Sequence, residues 1–400
     1  MHIYKLKKNI LKNLQTSEKK SFLNSLGLES TKSDIEIEVR NKQYKVNTQK
    51  PETSKVGAIS IFSGGGGLDL GAHLAGVNIL STMDHEKDCM ETIASNSVFH
   101  DAEHICASIE NRKGLDYRII LKSKNPEKLI LIGGPPCQPF SKAGYWVTHK
   151  RRLGSADPRN MISHYLRLIK ELKPNGFLLE NVESLLHPKN RDAVALIEDA
   201  IDALGYKFIL YCADARDFGV PQRRKRVFFI ASKKTIDALP KPTHEAPTDN
   251  QSKVIKPHER VIDWVWNYDI DAYFEPEEVT SGKTYAYELS EVPPGQNYFA
   301  LTSRNGYPNP KFAANKRFWN FLLKLHPLQP SWTLAALPGP WVGPLHWNNR
   351  RLRIPELAAI QTFPSDYRFS GTRRSIQKQI GNAVPPLLGK AMVEFLIQKI

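Results

Sequence analysis

Apolar residues in the middle of the chain form short continuous runs, and the segments between these runs have a helical period. From residue 57 the runs "AISIFSG", "VNILSTMD", "KLILIGG" and "GFLLENV" predict buried strands, and intervening segments such as "RDAVALIEDAIDALG" predict helices. Two further strands, "YKFILYCA" and "RKRVFFIAS", follow in sequence. Strands that alternate with helices of this length are typical of a parallel sheet covered on both faces. We therefore predict an α/β fold with a doubly wound, mostly parallel sheet.

This alternation of strands and helices covers only part of the chain and divides it into four segments. Residues 1–55 are rich in lysine, and "IEIEVRNKQYKV" alternates as a short hairpin would. Four apolar residues at the start stand at helical spacing: Ile3, Leu6, Ile10 and Leu14. Residues 56–233 carry the strands and helices, whereas residues 234–345 are rich in Pro, Asn, Tyr and Trp without a sustained period. Residues 346–400 return to regular structure. We predict a basic N-terminal extension, an α/β domain, a loop-rich domain and a C-terminal segment that rejoins the α/β domain.

Charge and cysteine content narrow the class of protein. The net charge of +15 and the pI near 9.5 indicate a polyanionic partner such as nucleic acid, although a basic surface that serves only solubility stays open. No apolar stretch has the length of a membrane span and the N-terminus lacks the features of a signal peptide, so we expect a cytoplasmic protein. The cysteines show no CxxC spacing, which predicts neither a metal site nor a disulfide framework: Cys89, Cys106, Cys137 and Cys212.

A glycine-rich loop, "IFSGGGGLDLG" at residues 61–71, follows a predicted strand and opens a predicted helix. Glycines allow a ligand to approach the backbone closely, and Asp84, 20 residues after Gly64, could bind ribose hydroxyls. The dinucleotide spacing G-x-G-x-x-G is not met, because position 69 is aspartate. A nucleoside cofactor without pyrophosphate, such as S-adenosyl-L-methionine, suits the loop better. A tight turn without any ligand remains the alternative.

Two further motifs place chemically active groups just after predicted strands. In "LIGGPPCQPFSKAG", Cys137 follows two rigid prolines outside the apolar run, which favours a nucleophile over the usual buried small hydrophobe. In "GFLLENV", Glu180 ends an apolar strand, and burial of such a carboxyl raises its pKa and lets it donate a proton. A helix cap or a salt bridge would also explain Glu180.

The remaining motifs with candidate functional residues are a basic motif and a turn. Arg224 and Arg226 alternate in "QRRKR" and so point to one face of a strand, where they suit a carbonyl oxygen or phosphates. A solvated basic edge is the alternative. In "QIGNAVPP", Gly381 and Asn382 indicate a turn before the final helix.

In their order along the chain, five motifs resemble the signature of the cytosine-C5 DNA methyltransferases: FSGGGGLDLG, PPCQPFS, ENV, QRRKR and QIGNAVPP. The resemblance covers roughly residues 57–232 and 345–395. It implies a Rossmann-like, S-adenosyl-L-methionine-dependent domain with a separate target-recognition domain at residues 234–345. It further implies sequence-specific methylation of cytosine in double-stranded DNA by a monomer, with a cognate restriction endonuclease as its functional partner and no metal.

The resemblance also assigns roles to residues. Cys137 would be the nucleophile, Glu180 would contact N3 and the amine of cytosine, and Arg226 would contact O2 with Arg224 in support. The residues implied at the cofactor are Phe62, Ser63, Gly64, Gly66, Gly67, Leu68, Asp84, His85, Ser108, Ile109, Pro136, Asn382 and Val384. Residues implied on the DNA are Gln138, Ser141 and Arg159 in a closing loop, with Arg304 and Lys311 as donors in the recognition domain. Gln222 fills the family's glutamine position.

The sequence departs from the family pattern at three positions. Ser108 stands where an acidic residue usually contacts the adenine amino group, Pro355 where arginine is common, and Arg353 where threonine is usual. Three other functions compete with the DNA enzyme: a transfer-RNA cytosine-C5 methyltransferase on the same scaffold, a nucleotide-binding oxidoreductase, and an inactive DNA-binding regulator. The oxidoreductase is disfavoured because it leaves Cys137 and Glu180 unexplained.

Overall fold

The computed structural model describes residues 2–6, 23, 35–46, 55–136, 161–246, 255–312 and 318–400. These residues form two compact units. We call them the sheet unit, which comprises Val46–Phe218, Arg224–Thr243 and Asp366–Ile400, and the loop unit, which comprises Met1–Lys45, Gly219–Arg223 and His244–Ser365.

A seven-stranded sheet forms the centre of the sheet unit. Its strands are β3 (Val56–Ile61), β4 (Asn78–Asp84), β5 (Glu103–Cys106), β6 (Lys128–Gly133), β7 (Gly176–Val182), β8 (Lys207–Asp214) and β9 (Lys225–Ser232). The spatial order is β5-β4-β3-β6-β7-β9-β8. The first five strands run parallel, and β9 is antiparallel to both of its neighbours. The predicted mostly parallel sheet is confirmed.

Helices flank the sheet, and the longer ones bury an apolar stripe. They are α1 (Gly67–Leu74), α2 (Lys87–Ala94), α3 (Arg118–Lys124), α4 (Met161–Leu172), α5 (Arg191–Ala203), α9 (Arg373–Asn382) and α10 (Pro386–Ile397). In α4, for example, Ile162, Tyr165, Leu168 and Ile169 are buried at helical spacing. The Tyr165 hydroxyl donates to the carbonyls of Leu131 and Leu178, which ties this helix to β6 and β7.

The loop unit contains little regular structure. Its helices are α6 (Ile262–Val265), α7 (Ala286–Glu291) and α8 (Ile354–Ile360), and its strands are β1 (His2–Leu6), β2 (Ile35–Val39), β10 (His244–Glu245) and β11 (Lys256–Pro257). A small apolar core joins Leu289 and Val292 to Leu301, Leu322 and Leu345. The composition rich in Pro, Asn and aromatic residues is consistent with this irregular backbone.

The N-terminus differs from the prediction. His2–Leu6 is a strand and not the start of a helix; Ile10 and Leu14 lie outside the described residues. Ile35–Val39 is a strand as its alternation indicates, but it pairs antiparallel with His2–Leu6, and residues 40–46 form no second strand. The predicted local hairpin is therefore wrong, because a distant segment supplies the backbone partners.

The structural division also differs from the predicted boundaries at both ends of the chain. The described residues 2–6 and 35–45 belong to the loop unit, where Tyr4 donates to the carboxylate of Asp269 at 2.5 Å. Residues 346–365 belong there too, because Arg350 binds both Asp269 and Glu356, at 2.7 and 2.6 Å. The return to the sheet unit thus begins at Asp366 and not at residue 346.

Among the described residues one run, Arg373–Ile397, is long and apolar enough to span a membrane by length and composition alone. The run consists of two helices, α9 and α10, separated at Ala383–Pro385, and most of it is buried. Leu388, Met392 and Val393 are fully buried, as in the core helix of a globular domain.

Candidate active site

The glycine loop connects β3 to α1 at the carboxyl edge of the sheet. Phe62 and Gly64 both have a positive φ, of 58° and 53°, so the chain turns sharply as it leaves the strand. The amide of Gly64 donates to Oδ2 of Asp84 at 2.8 Å. A left-handed conformation at a non-glycine residue such as Phe62 costs free energy, and such strain is concentrated at functional sites.

Asp84 ends β4, next to the strand that carries the glycine loop. Its Oδ1 accepts from the amide of Glu86 at 3.0 Å, and the imidazole Nδ1 of His85 lies 3.2 Å from the same oxygen. Because backbone donors fix both carboxylate oxygens, their remaining lone pairs are held in place for a ligand. The carboxyl ends of parallel strands meet at this edge, where ligands bind in such folds.

A cavity of about 440 Å³ opens between the glycine loop, β4, β7 and the turn after α9. It is lined by ten of the thirteen residues expected at the cofactor: Phe62, Ser63, Gly64, Gly67, Leu68, Asp84, His85, Pro136, Asn382 and Val384. Glu180 and Arg226 line the same cavity. The structure therefore brings the expected cofactor residues and two expected catalytic residues to one place.

The other expected cofactor residues lie close by. Ser108 and Ile109 line a second cavity of about 220 Å³, which shares Phe62, Asp84 and Pro136 with the larger one. The Ser108 hydroxyl donates to Oε2 of Glu110 at 3.3 Å. An acidic side chain is thus present beside Ser108, two residues from the position where the family pattern expects it.

Gly66 lines neither cavity and has a structural role. It precedes α1 with a φ of 79°, and a Cβ at this position would clash with the hydroxyl of Tyr367. That hydroxyl donates to the carbonyl of Gly65 at 2.8 Å. Tyr367 was not identified from the sequence, because no periodic or spacing signal links positions 302 residues apart.

Glu180 lies at the end of β7, and Arg226 begins the adjacent strand β9. Oε1 of Glu180 lies 2.8 Å from Nε of Arg226, and both side chains are about nine-tenths buried. Burial raises the pKa of Glu180, with Arg226 and Arg224 opposing the shift. The carboxyl therefore holds a proton at higher pH than an exposed glutamate would.

The backbone before Cys137 is shaped around this carboxyl. A Cβ on Gly134 would lie 2.5 Å from Oε2 of Glu180. Nδ2 of Asn181 donates to the carbonyl of Pro135 at 3.2 Å, which connects the end of β7 to the proline segment. The contacts explain why a glycine precedes the two prolines.

Arg224 lies apart from the cavity, although the alternation placed it beside Arg226. Its side chain is fully buried and donates to the carbonyls of Gly381 and Ala383, at 2.7 and 2.9 Å. These carbonyls flank Asn382, which lines the cavity. Arg224 thus acts on the site through the turn that carries Asn382 and is a positioning residue.

Four expected site residues lie outside the described residues: Cys137, Gln138, Ser141 and Arg159. Pro136, which directly precedes Cys137 in sequence, lines both cavities. Of the cysteines that the structure describes, Cys89 lines the larger cavity, but burial and the nearby Asp84 and Glu86 raise its pKa and so disfavour a thiolate.

The expected DNA-contacting residues that are described, Arg304 and Lys311, are exposed in the loop unit. Gln222 is fully buried in that unit, where its amide donates to Oε1 of Gln361 at 2.8 Å and accepts from the amide of Leu334 at 3.1 Å. Gln222 therefore holds loop segments together.

Two features of the described residues were not foreseen. Lys378 and Glu86 form an ion pair and both line the larger cavity. In the loop unit, ligand atoms of Asp269, His346 and Glu356 lie within 4.8 Å of one another, as metal ligands would. The guanidinium of Arg350 binds both carboxylates, so the protein itself supplies the cation there.

Comparisons with known proteins find similar sequences and a similar fold. The profile of the C-5 cytosine-specific DNA methylases matches residues 56–398. The chain is 35% identical over 376 residues to the Type II methyltransferase M.SacI of Streptomyces achromogenes, covering 86% of this chain and 93% of that protein. It is 30% identical over 350 residues to M1.HphI of Haemophilus parahaemolyticus, covering 85% and 86%. A crystal structure of an E. coli prophage-encoded DNA modification methyltransferase superposes with a TM-score of 0.58 at 24% identity, over 86% of this chain and 99% of that one.

Proposed function

The chain belongs to the C-5 cytosine-specific DNA methylase family, and from that premise we propose how its residues bind the methyl donor and activate cytosine. It is a DNA (cytosine-5) methyltransferase of the Type II restriction-modification kind. The observation that supports the assignment of roles is the single cavity that contains Asp84, Glu180 and Arg226.

The methyl donor is S-adenosyl-L-methionine, and the residues of the two cavities suit its parts. Asp84, with both oxygens oriented by backbone amides, would accept hydrogen bonds from the ribose hydroxyls. Phe62 and the buried Ile109 offer apolar surfaces for a flat base. When bound, the donor supplies an electrophilic methyl group to C5 of cytosine. Ser63 is fixed by its hydrogen bond to Asp69 at 3.0 Å and would keep the glycine loop in shape around the ligand.

Glu180 and Arg226 activate the cytosine ring. C5 of cytosine is a weak nucleophile, and addition of a thiolate at C6 makes C5 electron-rich once N3 accepts a proton. Glu180 supplies that proton, because burial raises its pKa and favours the carboxylic acid. Arg226 stabilises the negative charge that develops at O2. After methylation, loss of the C5 proton, elimination of the thiolate and return of the N3 proton to Glu180 restore the aromatic ring.

Cys137 provides the thiolate that adds to C6. It follows Pro136, which lines the cavity that also contains Glu180. A thiolate is strongly nucleophilic even as a minor fraction at neutral pH. Cys89 would serve this purpose poorly, because its pKa is raised by burial. The resulting addition splits one difficult substitution into two easier steps.

The substrate is double-stranded DNA, and the target cytosine must leave the stack because C6 is inaccessible inside a duplex. The net charge of +15 supplies phosphate contacts that offset the cost of flipping. We assign sequence reading to the loop unit, whose Arg304 and Lys311 contact the DNA, and loop closure to Gln138, Ser141 and Arg159. The enzyme acts in the cytoplasm as a monomer, and its methylation protects DNA from a restriction endonuclease of the same specificity.

The test is transfer of labelled methyl groups from S-adenosyl-L-methionine to duplex DNA and, in parallel, to transfer RNA. The modified base is then mapped. We expect 5-methylcytosine in DNA at a defined sequence. Labelling of transfer RNA alone would establish the competing RNA function, and labelling of adenine would refute the proposed chemistry.

A pair of cysteine variants tests the nucleophile. Cys137→Ser should lose turnover while it still binds S-adenosylhomocysteine in calorimetry. Cys89→Ser, the matched variant at the cavity wall, should retain most activity. Normal turnover by Cys137→Ser, or loss of turnover in Cys89→Ser with its cofactor affinity intact, would contradict the assignment.

A further inference from the structure

Charge is distributed unevenly along the sequence of the loop unit. Residues 255–291 include nine acidic and three basic residues, whereas residues 292–355 include eight basic residues and no Asp or Glu. We call residues 292–355 the acid-free segment. Two of its arginines, Arg350 and Arg353, bind carboxylates within the unit. Arg304 and Lys311 are exposed and form no ion pair with any residue in the described part of the chain. The segment therefore presents positive charge to solvent.

The same segment exposes two adjacent large aromatic side chains. Phe318 is 51% exposed and Trp319 is 64% exposed. Their positions are fixed by packing: the Trp319 ring lies 6.1 Å from that of Phe299, and the Phe318 ring lies 6.1 Å from that of Phe321. Nδ2 of Asn297 also donates to the carbonyl of Trp319 at 2.8 Å. We call Phe318 and Trp319 the aromatic ledge.

The aromatic ledge and the two exposed cations, Arg304 and Lys311, belong to one small framework. Phe299, which packs against Trp319, lies in the turn Tyr298–Leu301, and Arg304 lies in the next turn, Ser303–Asn305. The amide of Lys311 donates to the carbonyl of Leu301 at 3.3 Å. Exposed rings on the same framework as two exposed cations fit a ligand that offers both flat apolar faces and anionic groups. Nucleic acid has this combination of properties.

We propose that the aromatic ledge contacts bases of duplex DNA, while Arg304 and Lys311 bind phosphates beside them. This inference rests on the proposed function, in which duplex DNA is the substrate. Phosphate contacts contribute affinity that depends on salt and hardly on sequence. A ring that stacks on a base or enters a base step contributes affinity that depends little on salt. The two kinds of residue should therefore leave different signatures in binding data.

The experiment measures binding of variants to two short duplexes by fluorescence anisotropy over a range of salt concentrations. One duplex carries the methylated site mapped as above, and the other has the same composition in scrambled order. Trp319→Ala should weaken binding to the site duplex about tenfold or more, with the salt dependence unchanged. Arg304→Ala should weaken binding to both duplexes and reduce the slope of log affinity against log salt by about one.

Two further variants separate contact with DNA from effects on folding. Trp319→Phe retains an aromatic ring and should recover most of the affinity. Phe274→Ala removes an aromatic side chain of similar exposure, 55%, from the acid-rich residues 255–291. This variant should bind both duplexes as the wild type does. All variants should have wild-type melting temperatures, because the truncated side chains are exposed.

Three results would overturn the proposal. The first is wild-type affinity in Trp319→Ala, and the second is a loss of affinity accompanied by a lower salt slope. The third is a wild-type dimer in sedimentation that Trp319→Ala disperses, since the ledge would then bind a second copy of the chain. The methyl-transfer assay tests the proposed function separately, and that function fails if the wild type transfers no methyl group to DNA. Methylation by the wild type together with normal binding by Trp319→Ala refutes the ledge alone.

Discussion

Gly134 lies against the carboxylate of Glu180, and replacing it with alanine should displace that carboxylate. The added Cβ would lie 2.5 Å from Oε2, whereas ordinary contacts begin near 3.4 Å. The carboxylate must therefore move by 0.5 Å to reach the shortest real contact, 3.0 Å, and by 0.9 Å to reach an ordinary one. It cannot turn away freely, because its other oxygen lies 2.8 Å from Nε of the buried Arg226.

Such a displacement should slow the chemical step more than it disturbs the fold. A misplacement of about 1 Å at a reacting group can reduce the rate about 100-fold. We therefore expect Gly134→Ala to lower kcat by about 10- to 100-fold, equivalent to ~1.4–2.7 kcal/mol in activation free energy. The melting temperature should change little, because the atom that must yield is the end of a side chain.

The assay is single-turnover methyl transfer to a duplex that carries the mapped site, with S-adenosylhomocysteine affinity and melting temperature measured in parallel. Gly339→Ala is the matched control, because its Cβ would make only an ordinary contact of 3.5 Å with Val342. The effect of Gly134→Ala should also shrink in a Glu180→Gln background, since both changes act on one group. Wild-type kcat in Gly134→Ala, or a loss fully additive with that of Glu180→Gln, would refute the reasoning.

Three further predictions concern residues that support the site or the fold. Tyr367→Phe removes the hydrogen bond to the carbonyl of Gly65. We expect it to weaken S-adenosylhomocysteine binding about fivefold in calorimetry, or ~1 kcal/mol. Unchanged affinity would show that the glycine loop keeps its conformation without this bond. Arg224→Lys should also weaken S-adenosylhomocysteine binding and lower the melting temperature, because a lysine cannot reproduce two guanidinium hydrogen bonds to main-chain carbonyls. A variant impaired only in kcat would instead indicate that Arg224 contacts the target cytosine. Burial lowers the pKa of Lys324 from 10.5 to about 7, so between these values the folded state binds fewer protons than the unfolded state and stability rises with pH. Lys324→Met should flatten this rise in the free energy of urea unfolding measured from pH 7 to pH 9, and parallel curves for the two proteins would contradict the shift.

The sequence motifs located most of the larger cavity because their chemistry follows local patterns. Apolar runs predicted strands, and polar residues directly after them were expected at one edge of a parallel sheet. Asp84 and Glu180 lie at that edge, in the cavity with Asn382. The alternation in QRRKR predicted one strand face for Arg224 and Arg226. It could not show that only Arg226 lines the cavity and that Arg224 turns to the carbonyls of Gly381 and Ala383.

The sequence by itself determined which segments form the strands of the sheet and which chemical groups follow them along the chain. Both depend on runs of neighbouring residues. Only the tertiary structure decided the pairing of His2–Leu6 with Ile35–Val39 and the antiparallel orientation of β9. The same holds for the contact of Tyr367 with Gly65 and of Glu180 with Gly134. These features depend on groups that come together only after the chain has folded, and no local period or composition records which distant backbone atom a side chain will meet.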